Sequence, residues 1–281
     1  MKLKLLILSI ILIFFQNAVL AGISIKRNIS YSTSPAAGIE NLLDIYYPKN
    51  RKQPLDVMVF IHGGSWNSGK KETYWWLGRN MARKDVVTVI INYSLSSDSQ
   101  YEKIASDCAE ALKWVSNNVS DYGGDPGRIF VMGHSAGGHL GALINSDPRF
   151  FKQQGVENPI HGLILNDAFG LDMFEYLNAA ENNAQKNSFL RTFSGDNEIW
   201  KTGSPLNYVG NVKNPLLIFV GERTYPAIQI QSERLRTQLL ETNKKVEFRI
   251  IPRKKHIGMI SQMVWGGNKL YSYILDFMSR N

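Results

Sequence analysis

The chain has 281 residues, of which 44% are hydrophobic, and a single cysteine. That length supports one large domain with a sizeable core, and a lone cysteine excludes any intrachain disulfide. The formal charge of +8 comes from scattered lysines and arginines with no basic stripe interleaved with aromatics, which argues against a nucleic-acid partner.

The chain opens on MKLKLLILSIILIFFQNAVLAG. Lys2 and Lys4, an apolar run from Leu5 to Phe15, and Val19 and Ala21 ahead of Gly22 follow the order of a secretory signal peptide. Residues 1–21 are therefore expected to be removed, leaving 22–281 as the mature domain, exported to the periplasm or secreted. The apolar run is short for a bilayer span and no second candidate follows, so no stable membrane insertion is expected after cleavage.

Apolar, β-rich runs then recur: NLLDIYYP (41–48), DVMVFI (56–61), VVTVIINY (86–93), RIFVMG (128–133), HGLILN (161–166), PLLIFVG (215–221) and VEFRII (246–251). Helical patterns separate most of the later ones. YEKIASDCAEALKWVSNNV spaces Ile104, Cys108, Ala111, Leu112 and Val115 on one face, with Cys108 as a small buried apolar residue. AIQIQSERLRTQLLETN spaces Ile230, Leu235 and Leu239 less regularly. Strands alternating with helices imply a largely parallel sheet covered on both faces. The segment from Asp172 to Trp200 breaks this rhythm and reads as a cap over one end of the sheet. Its aromatics (Phe174, Tyr176, Phe189, Phe193, Trp200) either form the cap's own core or line a pocket.

Two stretches carry chemistry. Gly133-His-Ser-Ala-Gly137 is G-x-S-x-G between an expected strand and an expected helix, the context of a nucleophile elbow. Small residues two before and two after Ser135 let the chain turn sharply and lift the hydroxyl clear. FIHGGSWNSG (60–69) follows the DVMVF strand, and its consecutive glycines leave backbone N–H groups facing a pocket. Gly63 and Gly64 would supply one or two donors to a developing oxyanion, and the amide of Ala136 another. His62 is expected to brace the loop. Trp66, Tyr74, Trp75 and Trp76, which follow, either floor the pocket or pack.

HGGSW, NYSL and the run from SDCAEALKWV to GHSAGGHL together resemble the α/β-hydrolase superfamily, in its esterase and arylformamidase-like branch. The resemblance implies an α/β-hydrolase fold: a mostly parallel sheet of about eight strands, helices on both faces and a small cap. It also implies a base late in the chain. His256 is the one histidine after His161, and His256 with Met259 matches the branch's His-x-x-Met pattern. Where they lie close, Lys254 and Lys255 would favour the neutral imidazole, the form that acts as a base. The branch usually places an aspartate three residues after the glycine ending the LLIFVG strand, but this chain has Thr224 there. Three readings follow: Asp167, at the end of the preceding strand, is the acid; Glu222 reaches in from the usual loop; or no acid is present. Asp107 and Asp125 match fold-supporting positions of the family, and Asp172 belongs at the base of the cap.

The expected function is hydrolysis of a small carboxylic ester, or of an amide or formamide, through an acyl-enzyme on Ser135. No cofactor or metal is implied. A hydrolase-like binding protein without a complete triad is the alternative, motivated by Thr224.

Overall fold

The structure, a computed structural model, describes residues 22–32, 41–49, 53–96 and 100–281. The expected signal peptide lies outside the described residues. Eight strands form one sheet: β1 (Ile23–Ser30), β2 (Leu42–Pro48), β3 (Leu55–Ile61), β4 (Val87–Ile91), β5 (Gly124–His134), β6 (Ile160–Asn166), β7 (Leu216–Gly221) and β8 (Val246–Ile251). Their order is β1-β2-β4-β3-β5-β6-β7-β8. Only the pairs β1·β2 and β2·β4 are antiparallel, and the other five are parallel.

Ten α-helices are described: α1 (Trp75–Ala82), α2 (Tyr101–Asn118), α3 (Ala136–Ser146), α4 (Arg149–Gln153), α5 (Met173–Ala179), α6 (Ala184–Phe193), α7 (Asn197–Thr202), α8 (Pro226–Glu241), α9 (His256–Ser261) and α10 (Lys269–Arg280). The period-two alternation of the strands splits the core. Val57, Val59, Ile61, Val131, Leu163, Leu165 and Ile218 join α2, α3, α8 and the 172–200 segment. Met58, Phe60, Phe130, Met132, Ile164, Leu217 and Phe219 join α1, α9 and α10. Burying strands on both faces explains why they read as continuous apolar runs.

Two expectations change. The apolar runs show no strand before residue 41, yet Ile23–Ser30 pairs with β2 as an edge strand whose Lys26, Arg27 and Asn28 are largely exposed. In α8, Ile230 is 55% exposed, while Ile228, Ser232, Leu235 and Leu239 are buried. That set recurs every three or four residues, and Ser232 in its middle disguised it. On α2 the expected stripe is buried, including Cys108.

The 172–200 segment holds α5, α6 and the first residues of α7. Phe189, Phe193 and Trp200 are buried there, and Phe174 and Tyr176 are half-buried against the core. Trp66 is fully buried and meets Phe189 and Phe193 edge-on at 5.5 and 5.0 Å. Trp75, by contrast, is 48% exposed under the Arg79 guanidinium.

Candidate active site

The site forms where β5, β6, β7 and β8 end side by side. β5 stops at His134, and Ser135 takes φ 54° and ψ −122° before α3 starts at Ala136. A non-glycine residue in that region is strained and needs the surroundings to hold it. The surroundings are tight: a Cβ on Gly137 would sit 2.1 Å from the Ile61 carbonyl oxygen, and one on Gly133 2.2 Å from that of Gly137. The spacing of small residues around Ser135 is thus a packing requirement.

β6 ends at Asn166, and Asp167, also at positive φ (54°), is fully buried. Its Oδ1 accepts from the Gly221 amide at 2.8 Å, and its Oδ2 accepts from the Thr224 hydroxyl. After β8 a short loop brings His256 to the first turn of α9. Its Nδ1–H donates to Asp167 Oδ2 at 2.7 Å, and its Nε2 accepts from Ser135 Oγ at 2.8 Å. One carboxylate therefore receives three donors. The hydrogen bond from Nδ1 fixes the tautomer that leaves the Nε2 lone pair toward the serine.

Of the expected acids, Asp167 meets the imidazole and Glu222 does not. Glu222 is exposed, and its Oε2 accepts from the Arg253 amide at 2.6 Å. The Glu222 N–H donates to the Ile251 carbonyl at 3.0 Å, continuing the β7·β8 ladder by one bond. Thr224 occupies the usual acid position and serves as a donor to an acid one strand over. Asp107 accepts from the Ser94 amide at 2.9 Å, Asp125 from the Gly127 amide at 2.8 Å, and Asp172 caps α5 through the Glu175 amide at 2.8 Å.

The loop after β3 lies against the elbow. Ideal Cβ geometry at Gly63 would reach 2.9 Å from the His134 carbonyl oxygen and 3.1 Å from Ser135 Cβ, so only glycine lets the two backbones approach this closely. Among the described residues, no backbone carbonyl accepts from the amides of Gly63, Gly64 or Ala136. His62 braces the loop. Its Nδ1–H donates to the Gly63 carbonyl at 2.8 Å, its ring stacks on Tyr93 at 4.3 Å, and Tyr93 Oη donates to its carbonyl at 2.7 Å.

Trp66 packs, and its partner His139, like Lys71 and His134, carried no signal in the sequence. Trp66 Nε1 donates to His139 Nδ1 at 3.2 Å and His139 Nε2 donates to the Gly203 carbonyl at 2.7 Å, tying loop, elbow helix and cap together. Lys71, 1% exposed, anchors the loop's exit. Its Nζ donates to Asn28 Oδ1 at 2.6 Å, to Asp44 Oδ1 at 2.7 Å and to Glu72 Oε1 at 2.7 Å. His134 stacks on His256 with centroids 4.8 Å apart. Burial pushes the pKa of His134 down to about 4, helped by the charge of the neighbouring His256. Burial likewise takes His62 and His139 to about 4. A neutral His134 adds no positive charge beside the His256 imidazole.

Ser135 and His256 open onto a cavity of about 530 Å³, walled by Tyr74, Trp76, Phe169, Phe189, Tyr225 and Ile257 among others. Chemically, the arrangement can move a proton from a hydroxyl to an imidazole and present the hydroxyl oxygen to a carbonyl carbon beside free amide donors.

Solved structures resemble the fold closely. A truncated carbohydrate esterase from gut microbiota matches with a TM-score of 0.78 at 20% identity, covering 92% of this chain and 95% of that one. Esterase B from Lactobacillus rhamnosis matches at 0.74 and 20%, covering 92% and 86%. The architecture is the α/β-hydrolase fold. Among curated proteins, the isoprenylcysteine alpha-carbonyl methylesterase ICME of Arabidopsis thaliana is 24% identical over 257 residues, 87% of this chain and 59% of its own length. Esterase LipQ of Mycobacterium tuberculosis is 30% identical over 234 residues, 78% and 54% respectively. The chain thus spans a little over half the length of these relatives. The BD-FAE family model matches residues 43–239, which runs from β2 through α8 and includes the glycine loop, the elbow and Asp167. With most of its length so matched, this chain belongs to the BD-FAE family.

Proposed function

We propose that the chain is a serine carboxylesterase acting on a small carboxylic ester through an acyl-enzyme on Ser135. The observation that carries this reading is the unbroken series from Ser135 Oγ to His256 at 2.8 Å and on to Asp167 at 2.7 Å, open to a cavity of about 530 Å³. Ser135 Oγ attacks the carbonyl carbon while His256 Nε2 takes its proton. The Asp167 carboxylate stabilises the imidazolium so formed without itself being protonated. The amides of Gly63, Gly64 and Ala136 receive the negative charge on the carbonyl oxygen, where one lost donor costs about 10²–10³ in kcat. His256 then gives its proton to the departing alkoxide. A water molecule, deprotonated by the same imidazole, attacks the acyl carbon, and the carboxylic acid leaves as Ser135 recovers its proton.

The names of the relatives, esterase and methylesterase, favour an ester over an amide or formamide. The Asp167 contact to His256 at 2.7 Å favours catalysis over the hydrolase-like binding protein, whose motive was a missing acid. Turnover of p-nitrophenyl acetate tests the reading, with Ser135→Ala expected to lose about 10⁴-fold or more in kcat. A mutant retaining over a tenth of the activity would put the nucleophile elsewhere.

The N-terminal pattern supports export to the periplasm or beyond. Protein from the native host should begin at Gly22, and an intact leader on soluble cytoplasmic chain would contradict this.

A further inference from the structure

Beside the catalytic cavity lies a second one of about 390 Å³, bounded by α5, the 180–183 connection, the first turn of α6 and the start of α8. Its size sits at the low end of the range of about 300–1,000 Å³ that ligand pockets span. Gln185 borders both cavities. The partition between them is aromatic and two rings thick. Phe169 and Phe189 line the catalytic side and Tyr176 the other, with the Tyr176 ring 4.9 Å from Phe169 and 5.8 Å from Phe189.

The apolar part of the second cavity's wall is built from Ala179, Ala180, Ala227 and Ile230 beside the Tyr176 ring, with Asn183 and Gln231 among the polar groups at its border. Ile230 stands out because it contributes nothing to the α8 stripe and is 55% exposed, yet it borders this pocket. Charges at the border are balanced. Arg234 clasps Glu175 at 2.8 and 2.9 Å, and the Lys186 ammonium, which donates to the Ala180 carbonyl at 3.1 Å, opposes Glu181 in sign. Such a lining gains by covering apolar surface and gives no net pull to a charged group.

We propose that this pocket is a subsite for an extended, uncharged apolar arm of the ester, reached from the catalytic cavity past Gln185. The proposal rests on the carboxylesterase reading. An arm too short to pass the Phe169–Tyr176–Phe189 partition leaves the pocket unused. A longer one covers Ile230 and the alanines, so kcat/KM rises with arm length. Esters with one long alkyl arm are the substrate class this geometry fits.

The test uses two substrate series on the full chain: p-nitrophenyl esters from acetate to decanoate, and acetates of alcohols from methanol to decanol. Ala227→Phe fills the pocket, and Ile230→Ser removes its apolar floor from a surface position that should not disturb folding. Each variant is expected to lower the ratio of long-arm to short-arm kcat/KM about tenfold in one series. Ratios unchanged in both series, in variants that melt like the parent chain, would overturn the subsite alone. A parent chain that fails to turn over p-nitrophenyl acetate would overturn the carboxylesterase reading, and the subsite with it.

Discussion

Asp167→Asn is the sharpest perturbation of the site. The carboxylate receives Gly221 N–H on Oδ1, and both His256 Nδ1–H and the Thr224 hydroxyl on Oδ2. An amide offers one oxygen and one NH₂. With its oxygen toward Gly221, the NH₂ confronts two donors, and the imidazole must move its proton to Nε2. That nitrogen then cannot accept from Ser135. With the amide flipped, the NH₂ meets the buried Gly221 amide, and a buried donor left without a partner costs about 1–3 kcal/mol. Either way the negative charge opposite the imidazolium is gone. In a serine triad that loss lowers kcat about 10⁴-fold. KM should change little, because Asp167 is fully buried and does not line the cavity. Steady-state kinetics on p-nitrophenyl acetate, beside a urea melt to confirm folding, would measure both. Glu222→Gln is the control, expected within about twofold, since its exposed carboxylate accepts from the Arg253 amide, away from the imidazole. A folded Asp167→Asn enzyme keeping a tenth of the parent rate would refute the reasoning, as would a larger loss in Glu222→Gln.

Three further outcomes are expected. Thr224→Val keeps the shape but removes one of the three donors to Asp167, so kcat should fall about tenfold, in line with a hydrogen bond to a charged group worth about 1.5–3 kcal/mol; parent-like kcat would show that the hydroxyl does not position the acid. His62, His134 and His139 bind fewer protons folded, at pKa values of about 4, than unfolded at 6.5. Their contribution is therefore present above pH 6.5 and lost as pH falls toward 4, with a slope approaching about 1.4 kcal/mol per unit for each; urea melts at stepped pH should show it, His139→Gln should flatten it, and a His139→Gln profile parallel to the parent's would contradict it. Lys71→Met strands Asp44, itself 1% exposed, and should cost about 3–5 kcal/mol of unfolding free energy; a loss under about 1 kcal/mol would mean the pair is not desolvated.

What could be read from the sequence follows from how local each constraint is. The elbow was legible because its glycines and Ser135 crowd one another within five residues, and the strands because burial on both faces makes them apolar throughout. β1 was not, since an edge strand carrying Lys26, Arg27 and Asn28 lacks an apolar run. The α8 stripe was misassigned to Ile230 because a buried serine interrupts it. The hydrogen bond from Thr224 to Asp167 joins residues 57 apart in sequence, on strand ends that a parallel sheet sets about 4.8 Å apart. Sequence reading could pose Asp167 as one of three alternatives, but only the folded sheet brings the two side chains together. Lys71 carried no sign of its burial, because its partners come from Asn28 on β1 and Asp44 on β2.

The central claim is that Ser135 is an activated nucleophile. Incubating the folded chain with a fluorophosphonate probe and mapping the adduct by mass spectrometry tests it most directly. The account predicts one phosphonyl group per chain, on Ser135, with labelling strongly slowed in Asp167→Asn. A folded chain that stays unlabelled, or that carries the adduct on another residue, would contradict it.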